Sequence, residues 1–318
     1  MSPTHSQGIE FGRKASPFSL DDERAYGHWR AAKLRNIPQR LAHQRVPIAR
    51  LERLTAAEQD KLSRACRRAN FAIYRTDPAA PTSMAALREF GQRLGLVRFD
   101  HHLWAPEEGV VALRNETDGP RASYIPYTDR PMKWHTDGYY NRPGAAVRGV
   151  IMHCVAPAAE GGANYLLDPE MVYIATRDAD PAFIRALMRR DAMTIPENTL
   201  EPGVRRGPVS GPVFSVNPTD GTLHMRYTAR TRSIRWKDDA VTREATAFLA
   251  KLLSPPVPLA FRVSLEAGEG IVCNNVLHNR EAFDDGPESG QQRLLWRARY
   301  RDRIAGTHLS PSRSSSIR

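Results

Sequence analysis

Apolar positions recur at helical spacing in four stretches of the chain. LTAAEQDKLSRACRRA (54–69) has Thr55 as a cap, and SMAALREFGQRLGL (83–96) has Ser83 as a cap with Gly95 near its end. DPAFIRALMRR (180–190) opens on Asp then Pro, a favourable helix start, and TREATAFLAKLL (242–253) carries another amphipathic pattern. Short apolar or alternating runs predict strands at NFAIYRT (70–76), VRGVIMHCV (147–155), residues 161–167, GEGIVCNNV (268–276) and RLLWRARYR (293–301). Residues 100–132 and 196–240 are rich in Pro, Gly, Asp and Arg and predict long connections. The order predicts a mostly β core with flanking helices on one side. It divides into a basic N-terminal arm with short helices (1–45), one domain (46–303) and a disordered tail (304–318).

The last predicted strand is unusual. With period 2, Arg293, Leu295, Arg297, Arg299 and Arg301 share one face, and Leu294, Trp296, Ala298 and Tyr300 share the other. The second face calls for a hydrophobic layer. The first offers fixed guanidiniums, whose planar fork suits a carboxylate.

Composition narrows the class. The chain has 318 residues, enough for a sizeable core, with 24 prolines and 21 glycines, as in a loop-rich globular protein. No apolar run approaches the ~20 residues of a membrane-spanning helix, and the N-terminal residues lack the apolar centre of a secretory signal. Cys66, Cys154 and Cys273 lie far apart, giving neither a disulfide framework nor paired zinc spacing. These features predict a cytoplasmic location and no membrane partner. The net charge of +11 raises nucleic-acid binding, but no finger, RNP-like or helix-turn-helix signature accompanies it. A small-molecule partner is the expectation, and a homo-oligomer is compatible with the sequence.

The candidate chemistry starts at MKWHTDGYYN (132–141). In a strand, His135 and Asp137 point to one face; in a helix they would lie about 200° apart. TDG also suits an Asx turn beside a turn histidine. Two histidines and one carboxylate are a common ligand set for Fe(II) with open coordination sites, so a third ligand is needed. His278, in CNNVLHNREAF between a predicted strand and the arginine strand, has the most suggestive setting, although a strand-end histidine bonded to backbone is the plain alternative. His101, His102 and His153 read as structural.

The order H-x-D, then a distant His, then an Arg-rich strand resembles the taurine dioxygenase and TfdA-type Fe(II)/2-oxoglutarate oxygenases, including the clavaminate-synthase and butyrobetaine-hydroxylase branches. The resemblance spans residues 45–303 and rests on WHTDGYY, GGANYLLD and NNVLH followed by RLLWRARY. It implies a double-stranded β-helix (a distorted jelly roll) with helices packed on one sheet. It also implies His135, Asp137 and His278 as catalytic iron ligands, with 2-oxoglutarate and O2 as co-substrates, release of succinate and CO2, and oxidation of a substrate C–H bond. Desaturation and ring closure remain open beside hydroxylation. Arg293 would pair with the 2-oxoglutarate carboxylate and Arg297 with an anionic substrate group. Asn164 stands where the family usually has a threonine that binds the co-substrate, and CNNVL replaces the usual aromatic–Asp–Asn–Arg lead-in. Because Asp137 is present, a halogenase is not expected.

Around the metal motif, Trp104, Tyr124, Tyr127, Tyr139 and Tyr140 offer an aromatic wall, with ordinary packing as the alternative for each. LHMRYTARTRSIRW (223–236) adds His224, Arg226, Tyr227, Arg230, Arg232 and Arg235. Tyr124, Tyr139, Arg226 and Arg297 are the candidate substrate contacts, and the expected substrate is a small anion. Two rival readings are a non-catalytic metal- or ligand-binding β-helix protein and a nucleic-acid-acting oxygenase.

Overall fold

A computed structural model gives the fold; it describes residues 16–77, 79–100, 106, 109–197, 206–230, 234–286 and 292–309. Two sheets frame the centre. The large one runs, in spatial order, Arg45–Pro47, Phe71–Arg75, Glu269–Cys273, Gly149–Ala156, Leu294–Tyr300 and Val110–Leu113. Its first pair is parallel and the other pairs are antiparallel. The small sheet runs Phe261–Val263, Asn164–Leu167, Leu277–Arg280 and Met132–His135, all antiparallel.

Strand alternation sorts the apolar residues into layers. Outward from the large sheet, Tyr74, Ile151, Val272, Ala298 and Tyr300 pack against Leu62, Cys66, Leu87, Phe90 and Leu94. These come from the helices Ala56–Ala69 and Met84–Arg93 and the turn that follows. Both helices begin where the sequence predicts. Thr55 forms a reciprocal capping box with Glu58, and Ser83 accepts from the Ala86 N–H. Between the sheets lie Phe71, Ile73, Val150, Cys154, Leu166, Val263, Ile271 and Leu295. Each leucine or phenylalanine fully buried in these layers contributes about 1.5–3 kcal/mol relative to an exposed one.

The expectation of helices on one sheet needs correction. Trp134, Leu167 and Leu277 make the outer face of the small sheet apolar as well. They join Tyr173, Ile184, Leu187, Ala245 and Leu249 from the helices Pro169–Ala179, Pro181–Leu187 and Ala240–Leu252. A face with that much apolar surface must be covered, so helices pack on both sheets. A second unpredicted element is the edge strand Val110–Leu113, inside a stretch read as loop. Pairing with Leu294–Tyr300 recruits it.

Residues Glu23–Asn36 form a helix capped by Asp22. Tyr26 and Trp29 meet Phe18 and Tyr173 edge-on or tilted, with ring centroids 4.9–6.4 Å apart. Lys33, buried, reaches Asp168 at 2.6 Å and also Glu170, while Asn70 Nδ2 donates to Asp168 Oδ1 at 2.8 Å. Ile304 and Thr307 are buried; residues 310–318 lie outside the described residues. Cys66, Cys154 and Cys273 are free and buried. Among the described residues no helix is long and apolar enough to cross a membrane.

Candidate metal centre

The strand Met132–His135 is held on both edges. His278 pairs with His135 on one side. On the other, Ala229 N–H donates to Trp134 O at 2.7 Å and Thr136 N–H to Tyr227 O at 3.0 Å. Cross-strand pairing therefore sets the two histidines side by side, with ring centroids 4.2 Å apart. Asp137 follows just past the strand end, and Gly138 then turns the chain in the left-handed region (φ 67°). A Cβ on Gly138 would come within 2.5 Å of Val147 Cγ2, so the turn requires glycine.

Both imidazoles are oriented by their own strands. His135 Nδ1 lies 2.9 Å from Lys133 O, and His278 Nδ1 lies 2.9 Å from Val276 O. A carbonyl oxygen only accepts, so each Nδ1 carries the proton and each Nε2 presents a lone pair. Burial, and then the neighbouring His278, push the His135 imidazole down to about 3, so it is neutral at physiological pH. Burial alone would raise the Asp137 carboxyl. The charges of Arg297 and Arg299 outweigh it and hold the group well below the usual carboxylate range. Arg297 Nη1 lies 3.3 Å and Arg299 Nη1 3.7 Å from Asp137 Oδ1, while Asp137 Oδ2 is buried without a hydrogen-bond partner.

Ligand atoms of His135, Asp137 and His278 lie within 4.8 Å of one another. Two imidazole lone pairs and an orphaned carboxylate oxygen thus converge with no donor among them. Such a donor set is satisfied by a cation, and two histidines with one carboxylate are the ligands of non-haem Fe(II) sites that keep positions open. The residues fit that metal.

The remaining candidates separate into those near this centre and those apart from it. Tyr139 stands edge-on to His135, with centroids 6.5 Å apart, and Tyr140 follows at 5.3 Å from Tyr139. Arg297 is buried beside Asp137. Arg293 is also buried, its guanidinium 4.8 Å from the Phe283 ring centroid, and burial pushes it down to about 10. Asn164 is buried opposite Arg280 in the sheet register. Arg226 instead gives its N–H groups to the carbonyls of Tyr139, Met193, Gly211 and Val209 at 2.7–3.4 Å. Its role visible in the structure is to fix the Tyr139 backbone. Tyr124 packs at the edge of the inter-sheet core, and Tyr127 is buried with Arg121 over its ring. His153 is buried and bonded to Tyr74 Oη at 3.1 Å, as its structural reading expects. His101, His102, Trp104 and Arg232 lie outside the described residues.

Sequence reasoning missed two features. Arg280, two residues beyond His278 in the same strand, is buried 4.9 Å from the Phe283 centroid. Burial, then the charge of Arg293, push it down to about 9. The signal was present as His-x-Arg, which places Arg280 on the His278 side of the strand. The second is the pairing of Arg299, a residue already placed on the arginine face: it donates to Tyr140 Oη at 2.8 Å and pairs with Asp100, partners that no local pattern announces.

The two-sheet fold and a His–Asp–His cluster able to hold a metal point to the non-haem iron oxygenases. Residues 33–299 match the family model described as "Taurine catabolism dioxygenase TauD, TfdA family", and the chain belongs to that family. It is an Fe(II)/2-oxoglutarate-dependent dioxygenase, and it takes Fe(II), 2-oxoglutarate and O2. A uridine-5'-phosphate dioxygenase of Streptomyces sp is 30% identical over 246 residues, 72% of this chain and 84% of that protein. Among solved structures, the non-haem iron oxygenase OrfP in complex with Fe and alpha-ketoglutaric acid superposes with a TM-score of 0.56 at 18% identity, covering 79% of this chain and 81% of that one. A taurine dioxygenase from Burkholderia xenovorans superposes with a TM-score of 0.52 at 18% identity, covering 81% and 88%.

Proposed function

We propose that His135, Asp137 and His278 hold the Fe(II), and that Arg293 with Asn164 binds the distal carboxylate of 2-oxoglutarate. On this reading the substrate is a small anionic organic molecule, and the two sheets are the faces of a double-stranded β-helix enclosing the centre. The observation that carries it is the convergence of three acceptors with no donor among them.

When bound, the iron and 2-oxoglutarate activate O2, with succinate and CO2 as co-products and oxidation of a substrate C–H bond, most simply hydroxylation. The chain's own residues supply position and electrostatics. The Nδ1–H bonds to Lys133 O and Val276 O fix which nitrogen each ligand offers. Arg297 and Arg299 keep Asp137 ionised. Arg293 and Arg280 flank Phe283 and, among the described residues, no carboxylate lies within ion-pair distance of either guanidinium. Arg280 Nη2 already donates to the carbonyls of Ile125, Thr128 and Arg130, so a carboxylate beside Phe283 would gain its charge-assisted bonds chiefly from Arg293.

Tyr139 and Arg297 stand beside the centre as substrate contacts, with Arg226 supporting Tyr139 from behind. Tyr124 lies at the edge of the inter-sheet core, where it contributes to the wall. The site's guanidiniums at 293, 297 and 299 are buried, which favours a small molecule over a nucleic-acid strand. The +11 charge and the relative named for uridine-5'-phosphate make nucleoside 5'-monophosphates the first class to screen, beside amino acids. Free buried cysteines suit a reducing cytoplasm.

The test is anaerobic loading with Fe(II) and 2-oxoglutarate, followed by visible spectroscopy and then succinate assay in air. A weak charge-transfer band and succinate release are expected, with both lost in His135→Ala and weakened in Arg293→Ala. Protein that binds iron but shows neither signal, with the substrate panel present, would sink the proposal.

A further inference from the structure

Asp137 is buried but sits past the end of the strand that carries His135. The ladder with Leu277–Arg280 runs through His135, and the bonds to Tyr227 and Ala229 reach Thr136. Asp137 lies beyond both, directly before the left-handed Gly138. A residue at the end of a ladder and the start of a tight turn has no backbone partner in the sheet to fix its φ and ψ, and the contacts of Arg297 and Arg299 reach only its carboxylate.

The missing partner is a side chain. Asn275 Oδ1 accepts the Asp137 N–H at 2.8 Å, and Asn275 Nδ2 donates to Asp137 O at 2.9 Å and to Val147 O at 2.7 Å. One carboxamide thus satisfies both backbone groups of Asp137, as a neighbouring peptide unit would in a continued sheet. Asn and Gln carry a donor and an acceptor side by side in a peptide-like carboxamide, and Asn is the better tolerated in left-handed backbone. Asn275 does sit there, at φ 52°, and is 1% exposed. It lies three residues before His278, on the turn that carries the chain from the large sheet to the small one. The same turn therefore delivers one histidine and locks the carboxylate that faces it.

We infer that Asn275 is a positioning residue for the metal centre, holding the Asp137 backbone so that its carboxylate meets the two imidazoles. The inference rests on the assignment of His135, Asp137 and His278 as ligands. Groups that orient metal ligands typically change affinity 10–100-fold when removed.

Two variants of the full chain test it. Asn275→Gly accepts the left-handed backbone without strain and deletes the clamp. Asn275→Asp keeps the shape and the acceptor for Asp137 N–H but loses the two donors. Asn274→Ala is the control: Asn274 is equally buried and one residue away, yet its side chain bonds Asn70, Thr307 and Ile304, away from the centre. Metal-free protein would be titrated anaerobically with Co(II), read by its visible absorption, and with Fe(II) in competition with a chromogenic chelator. Thermal unfolding with and without metal would run beside both titrations. Asn275→Gly and Asn275→Asp should bind metal about 10–100-fold more weakly and lose most of the metal-induced rise in Tm. Asn274→Ala should lower the Tm of the metal-free protein and keep metal affinity within threefold. Affinity within threefold of wild type in the Asn275 variants would overturn the inference, as would an equal loss in Asn274→Ala, which would mark general loosening. If Asn275→Gly fails to fold, Asn275→Asp carries the same comparison. Wild-type protein that binds neither Co(II) nor Fe(II) would overturn the ligand assignment itself, a separate and recognisable failure.

Discussion

Arg293→Met separates the co-substrate role of Arg293 from any structural one. Arg293 is 5% exposed, and burial pushes its guanidinium down to about 10. It is charged at pH 7 both folded and unfolded, so folding carries a cost of roughly 3 kcal/mol, at 1.36 kcal/mol per pH unit. Because the folded value is the lower one, stability returns only as pH rises above about 10, far from the working range. Methionine keeps an apolar stem against Phe283 and removes the charge. Metal-free Arg293→Met should therefore unfold in urea no more easily than wild type, and up to ~3 kcal/mol less easily. Its hold on 2-oxoglutarate should collapse. A buried, paired charge is worth about 2–5 kcal/mol when one partner is deleted, or about 30-fold to several thousandfold in affinity. The assay is anaerobic titration of the Fe(II)-loaded protein with 2-oxoglutarate, followed by the visible band, and checked by succinate formation against co-substrate concentration. Stability lost by more than ~2 kcal/mol with 2-oxoglutarate affinity unmoved would refute the reasoning, and would make Arg293 a structural cation instead.

Three further outcomes follow from the same geometry. Lys33→Met strands Asp168 and Glu170 as buried carboxylates and should cost about 3–5 kcal/mol in urea unfolding, part of it restored by adding Asp168→Asn. Asp302 accepts from Val97 N at 2.9 Å, Arg98 N at 2.6 Å and Arg98 Nε at 2.7 Å. Burial opposes ionisation there, but these donors prevail and hold the carboxyl below its usual range, so its contribution is complete above pH ~4 and disappears as pH falls through the lowered value. Asp302→Asn should thus destabilise by about 1–3 kcal/mol at pH 7, and the difference should shrink in strong acid, as unfolding at the two pH values will show. Asn164→Ala should raise the KM for 2-oxoglutarate about 10- to 100-fold, the worth of one hydrogen bond to a charged group, while iron content stays unchanged.

The sequence was most legible where structure is local. Thr55 and Ser83 cap the helices they were expected to cap, because a cap needs only its own next three residues. The arginine face of the last strand was visible because strand alternation is a property of neighbours, whereas Asp137 reaches the histidines from the turn just past its strand and not by alternation. The helix Glu23–Asn36 was harder, since it carries no apolar stripe and docks through Tyr26 and a buried Lys33. Pairing and burial were harder still. Val110–Leu113 is a strand only because Leu294–Tyr300 lies beside it, and helices cover the small sheet only because its outer residues are apolar too.

The sequence by itself thus determined the class of chemistry: two histidines, a carboxylate and a file of arginines in an order that few folds use. Tertiary structure alone decided how those groups act on one another. Asn275 and Asp137 are 138 residues apart and Arg299 and Asp100 are 199 apart, yet each pair is in hydrogen-bond contact. Nothing in the spacing of residues along a chain encodes such contacts. They arise when two sheets close over a common core and bring donors, acceptors and charges out of water, where each must find its partner.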